Sequence, residues 1–301
     1  MAISRRWRKY LDEAYRFEAN ELVILSAVPE DDMQAARWLR EDVADLRNAG
    51  VAALVCTYHA GLTGQAFMDQ LGALAERAQA GVIPMLHFDG HGLQDRMQFS
   101  DGSEVPWRDI TQQLRAINVA TRNHLVVSSG SCFGAWLYDK TDLDAPAPVF
   151  GLVATMRTVP AGDVDRGFRI FYRELFRTFE FARAYNQMME GVENKVFGHV
   201  FAPDFLETVV RGYIVDFCMG EGRRFRAEAL VTKAVERGMP LAQARKMVRE
   251  GLRKPQAPAL ERMGKHFLMI DRYPENQERF PVNYVWLEQA IRAEALERRG
   301  L

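Results

Sequence analysis

The sequence predicts an α/β protein: a mostly parallel sheet flanked by helices, followed by an α-helical C-terminal extension. Three observations carry this. Apolar runs of strand length recur through the first 160 residues, helical periodicity fills the gaps between them, and after Pro160 the strand signal gives way to helices. LVILSAV (22–28) is the first strand signal. Asp31 and Asp32 then stand where an N-cap belongs, Ala36, Leu39, Val43 and Leu46 recur at helical spacing, and residues 48–50 end the helix. VAALVCTY (51–58) completes a βαβ unit. Phe67, Leu71, Leu74 and Ala78 line a second helix stopped at Gly81, and VIPMLHF (82–88) resumes a buried strand. MQFSDGSEVPW folds back around Asp101 and Gly102 as a β-hairpin. A helix from Trp107 to Asn123 leads into HLVVSSG (124–130), and VFGLVATM (149–156) is a fifth strand. Strands this apolar, spaced by helices, belong to a parallel sheet covered on both faces.

Beyond Pro160 the reading is helical. Residues 165–190 form one long helix whose stripe of Phe168, Phe171, Tyr172, Leu175, Phe176 and Phe179 is expected in the core. Further helices are expected over 204–219, 223–237, 240–253, with Pro240 at a favoured first position, and 283–299. The chain is expected to divide into a domain of residues 1–192 and a helical extension of residues 193–301.

Composition narrows the function classes. With 301 residues, 48% of them apolar, and 39 Lys+Arg against 40 Asp+Glu, the chain has ample core and is not a disordered polyelectrolyte. Three cysteines, Cys56, Cys132 and Cys218, are too few and too odd in number for a secreted disulfide framework. The basic N-terminus leads into no apolar run of signal-peptide length, and no stretch approaches the ~20 apolar residues of a membrane span, so a cytoplasmic protein with no membrane partner is expected. From residue 221 onward 17 Lys+Arg face 11 Asp+Glu, a net +6 against −7 for the rest. Those basic residues are scattered among glutamates rather than forming a basic stripe interleaved with aromatics, so no nucleic-acid partner is expected and the charges read as solvated helix faces.

Active sites of parallel sheets lie beyond the carboxyl ends of the strands. Two strands here run into reactive residues: one into His87-Phe88-Asp89-Gly90-His91-Gly92, the other into Ser128-Ser129-Gly130-Ser131-Cys132-Phe133-Gly134. Neighbouring strands lie about 4.8 Å apart, which brings a histidine at one tip within reach of a cysteine at the next. A thiolate is the competent nucleophile, and an imidazole takes its proton and returns it to the leaving amine. Glycines around His91 allow close backbone approach, and N–H groups at such turns stabilise a tetrahedral oxyanion. His87, on the same side of its strand, is expected to pack, Asp89 either orients His91 or faces solvent, and Cys56 and Cys218 read as small packing residues. No zinc-finger spacing, EF-hand loop or glycine-rich phosphate loop is present, so neither metal nor cofactor is expected.

The segment LHFDGHG, a hairpin, a helix of about four turns and then VVSSGSCFGA together resemble the caspase-like clan of cysteine peptidases, most closely its CHAT and separase types. The resemblance covers roughly the first two thirds of the chain. It implies a caspase-like α/β fold and a dyad 41 residues apart, with His91 as general acid/base, Cys132 as nucleophile, and the N–H groups of Gly92 and Cys132 as oxyanion hole. The position two before Cys132 is Gly130, without the Gln of caspases or the acid of metacaspases, which removes a determinant of cleavage after Asp. The run from Val159 to Arg166 is similar to a separase and CHAT stretch whose acid lines the S1 pocket. It implies pairing of Asp163 or Asp165 with a P1 Arg or Lys; Asp163 serves equally as a helix cap, and Asp165 is preferred.

The whole implies a cysteine endopeptidase acting on a protein substrate after a basic residue, as a regulated bacterial signalling or defence protease. The helical extension, which shows no chemistry of its own, is expected to dock substrate or a regulatory partner. Two other readings stay open. One is a catalytically silent caspase-like interaction module. The other is an α/β-hydrolase whose G-x-C-x-G elbow spans Gly130 to Gly134, as in dienelactone hydrolases; its histidine would have to be His199 or His266, both in segments read as helical.

Overall fold

The computed structural model describes residues 16–29, 35–51, 54–138, 141–193 and 195–297. The expected N-cap at Asp31 and Asp32 lies outside the described residues. The chain divides into two compact units, residues 1–202 and 203–301.

The first unit is α/β, as its periodicity dictates. Its main sheet comprises β1 (Glu21–Ser26), β2 (Val55–His59), β3 (Pro84–Asp89), β7 (Val126–Ser129), β8 (Gly151–Thr155) and β9 (Phe197–Phe201), in the order β2-β1-β3-β7-β8-β9. Every pairing is parallel except β8 with β9. β1, β3, β7 and β8 are buried along their whole length, which is why their sequences are continuous apolar runs rather than alternations. Adjacent β3 residues show what covers each face. Phe88 meets Phe67 of α2 (Gly64–Gln79) at 5.0 Å between ring centroids, whereas His87 meets Phe168 of α4 (Ala161–Thr178) at 4.8 Å. α1 (Ala35–Asn48) packs with α4 on one side, and α3 (Trp107–Ala120) packs with α2 on the other. Thr63 caps α2 by accepting the Ala66 N–H at 3.2 Å.

The predicted hairpin forms, with β5 (Arg96–Gln98) against β6 (Glu104–Pro106) and Gly102 at φ +80° in the turn. A third short strand, β4 (His91–Gly92), pairs antiparallel with β5 and makes this a separate three-stranded sheet.

Three expectations need correction. The single helix over 165–190 is two, α4 and α5 (Phe181–Gly191), because Phe179 takes a left-handed conformation, φ +57°, and closes α4 through its N–H to the Leu175 carbonyl at 2.7 Å. Phe179 is accordingly 74% exposed, the one member of the aromatic stripe outside the core. Residues 197–201, near the start of the stretch read as all helical, form the antiparallel strand β9, joined to the sheet as far as the Ala202 N–H on the Phe150 carbonyl at 2.8 Å.

The second unit is helical: α6 (Ala202–Phe217, which begins at the last residue of the first unit), α7 (Gly220–Glu236), α8 (Leu241–Gly251, with Pro240 as N-cap), α9 (Ala257–Phe267), α10 (Asn276–Arg279) and α11 (Tyr284–Glu297). No described helix is long and apolar enough to cross a membrane.

Candidate active site

The parallel register of β3 with β7 pairs His87 with Ser128 and Phe88 with Ser129, so the residues after Asp89 and after Ser129 leave the sheet side by side. The Gly130 N–H continues the ladder to the Phe88 carbonyl at 2.8 Å. Three residues of the Cys132 turn are then fixed by identifiable contacts. A Cβ on Gly130 would lie 2.9 Å from Val164, so the start of α4 packs directly on this backbone. Ser131 is fully buried, and its carbonyl accepts the Thr155 hydroxyl of β8 at 2.6 Å. Phe133 is held at φ +59°, and a Cβ on Gly134 would fall 2.5 Å from the Ser129 hydroxyl. This sharp, left-handed turn leaves Cys132 partly exposed at the sheet's carboxyl end.

The other side of the site is the β4 tip. His91 is exposed at the first position of β4, opposite Gln98. Gly92 is the point of contact: a Cβ there would collide with the Cys132 carbonyl oxygen and lie 3.2 Å from the Cys132 nitrogen. Only glycine lets the two backbones approach so closely. The Cys132 N–H is bonded to no acceptor among the described residues. Trp107 braces the β4–β5 turn by donating its indole N–H to the Leu93 carbonyl at 2.8 Å. The structure thus brings the Gly92 and Cys132 backbones into contact, with His91 one residue away.

The two aspartates lie on α4. Asp163 occupies its first turn, with the N-cap at Pro160, so it is not the cap residue that the sequence allowed. Asp165 is largely buried; one oxygen lies 3.7 Å from Arg169, which in turn binds Asp42 of α1 at 2.6 and 3.0 Å. Its Oδ1 is buried without a hydrogen-bond partner, and burial raises its pKa above the ordinary carboxylate value. Asp165 therefore belongs to an α1–α4 ion cluster, and its neighbour Val164 touches the Cys132 turn.

Beneath the tips runs a polar relay in the core. His87 Nδ1 lies 2.8 Å from the Ser128 hydroxyl, which lies 2.6 Å from the Tyr172 hydroxyl. Burial lowers the His87 pKa to about 3, so the ring is neutral and packs, as its place on the strand implied. Asp89 is buried and accepts the Ser26 hydroxyl at 3.0 Å.

Sequence reasoning missed Thr155, Trp107 and β4. A threonine ending an apolar strand and a tryptophan opening a helix were signals for the first two; a two-residue strand leaves none. The expectation that His199 and His266 lie on helices is half correct. His199 is on β9, its ring 4.2 Å from Tyr185, and burial lowers its pKa, whereas His266 of α9 meets Asp271 at 2.8 Å. All three cysteines are free. Among the described residues, no group of three His, Cys, Asp or Glu side chains is placed to hold a metal ion.

No protein-family model matches the chain, and no curated protein does. Among solved structures it is similar to the Drosophila initiator caspase Dronc, at 12% identity over 62% of this chain and 82% of that chain, with a TM-score of 0.46.

Proposed function

We propose that the protein is a caspase-like cysteine endopeptidase of the CHAT or separase type, with His91 and Cys132 as its dyad. The observation that carries this reading is the glycine contact: Gly92 abuts the Cys132 backbone, which sets a histidine and a partly exposed thiol at neighbouring strand tips. His91 takes the Cys132 thiol proton, and Sγ attacks the substrate carbonyl carbon. The resulting oxyanion accepts hydrogen bonds from the Gly92 and Cys132 N–H groups. As the C–N bond breaks, His91 returns the proton to the leaving amine, and water then hydrolyses the thioester. Asp165, with its uncommitted buried oxygen, is the favoured partner for a P1 Arg or Lys, and Asp163 is the second candidate. The resemblance further supports a regulated signalling or defence role in bacteria, a protein substrate, and a partner docked on the helical unit.

The test is a thiol-directed peptide probe carrying P1 Arg. It is expected to label the wild type and not Cys132→Ala or His91→Ala. Equal labelling of Cys132→Ala overturns the protease reading, and labelling by ester probes alone favours the hydrolase. Preference for Arg that survives in an Asp163→Ala, Asp165→Ala double variant overturns the specificity assignment alone.

A further inference from the structure

The helical unit holds a cavity of 520 Å³, within the roughly 300–1,000 Å³ of small-molecule sites. Its wall is basic. Arg223 and Arg226 reach it from the first two turns of α7, Arg253 and Lys254 from the turn after α8, and Arg292 from α11; Glu288 is the one carboxylate in the lining. Glu288 is already committed. Its Oε2 accepts the Gln256 and Ala257 N–H groups at the start of α9, at 2.9 and 2.8 Å, while its Oε1 binds Arg292 at 3.0 and 2.9 Å. The remaining four cations have no ion-pair partner among the described residues.

Arg223 and Arg226 are held in place without being neutralised. Arg223 donates to the Leu252 carbonyl at 3.0 Å, and the Arg226 guanidinium sits 5.0 Å over the Tyr213 ring while donating to the Cys218 sulfur at 3.3 Å. Helix electrostatics explains only half of the cluster. Arg253 and Lys254 follow the C-terminus of α8, where cations are favoured, but Arg223 stands in the first turn of α7, where it opposes the dipole, and Arg226, in the second turn, gains nothing from it. A bound anion would offset the unfavourable placement of Arg223. Leu252, Pro258 and Val285 add an apolar wall.

We infer that this cavity binds a phosphorylated small molecule of nucleotide size, its phosphoryl groups on Arg223, Arg226, Arg253 and Lys254 and its apolar body against Leu252 and Val285. Four unneutralised cations around one compact space call for several negative charges within a few ångströms, which a polyphosphate supplies. An extended acidic peptide spaces its same-side carboxylates ~7 Å apart and matches the cluster less well.

The test is calorimetric titration of the full-length protein with ATP without magnesium, inorganic triphosphate and a decaglutamate peptide. ATP is expected to bind once per chain, at least 10-fold tighter than triphosphate and more weakly at higher salt. An Arg253→Glu, Lys254→Glu variant changes two exposed rim side chains, and its melting curve checks that it folds; each of the two reversals is expected to weaken ATP binding by about 10-fold. Arg226→Lys, which keeps the charge but not the guanidinium fork, is expected to weaken it less than the double reversal does. Unchanged binding in the double variant, equal affinity for ATP and triphosphate, binding of decaglutamate alone, or no binding by any of the three overturns the proposal.

Discussion

Burial of His87 makes the fold sensitive to acid. Its ring is enclosed by Phe168 and Tyr172 and bonded to Ser128, and burial holds its pKa near 3 against an ordinary 6.5. The unfolded chain therefore takes up a proton near pH 6.5 that the native state refuses. This group's contribution is full above pH 6.5 and is lost as the pH falls toward 3, at about 1.4 kcal/mol per pH unit. Urea unfolding between pH 7 and 4.5 is expected to show that slope, and His87→Asn to flatten it; an unchanged slope would assign the acid sensitivity elsewhere. Thiol chemistry separates at the same scale. Burial pushes the Cys56 thiol up to about 11, and Cys218 is buried, whereas Cys132 is partly open. Iodoacetamide at pH 7 is expected to add one equivalent, at Cys132, and mass mapping that finds Cys56 modified first would contradict this.

Among the elements, the two turns at the site are more sensitive than their short lengths suggest. Gly92→Ala puts a methyl group into the Cys132 carbonyl, so the β4 tip must move away from Cys132. The kcat/KM of the proposed peptidase reaction is expected to fall by about 100-fold or more, the scale of a 1 Å misplacement, with little change in Tm because the strain is relieved at the short β4 tip. Thr155→Val releases the buried Ser131 carbonyl and is expected to cost ~1–3 kcal/mol together with part of the activity. A Gly92→Ala variant of normal kcat/KM would remove this contact from the proposed mechanism. What was legible in the sequence follows the same physics. β1, β3, β7 and β8 are buried on both faces and announce themselves as apolar runs, and the tips bearing His91 and Cys132 follow from those strand ends. β9 did not, because FGHVF is partly exposed in its middle, includes a glycine and a histidine, and runs straight into a helix. The break at Phe179 carried no Gly or Pro to announce it; a bulky residue in the left-handed region is decided by the packing of α4 and α5. Spacing allows the i,i+4 approach of Arg169 to Asp165, but not the pairing of Arg169 with Asp42, which spans more than a hundred residues.

For the whole chain, the edge of the sheet decides where a stable piece ends. A cut after residue 192, where the sequence reading places the boundary, removes β9 and bares the whole of β8, whose five residues are all buried. It also strips Phe197 and Phe201 from an aromatic cluster in which Phe197 meets Phe168 at 5.3 Å and Phe201 meets Phe181 at 4.6 Å. Removing two buried phenylalanines of this kind costs about 3–5 kcal/mol each, comparable to the total stability of an ordinary domain. The bared strand adds unpaired backbone groups that favour edge-to-edge association. A cut after residue 202 keeps both rings, the β8–β9 ladder and the Ala202 N–H on the Phe150 carbonyl. Residues 1–202 are therefore expected to be monomeric and to melt cooperatively, whereas residues 1–192 aggregate. Size-exclusion chromatography and thermal melts of the two fragments provide the check, and a well-folded 1–192 fragment would show that β9 is an accessory to the sheet rather than its closing strand.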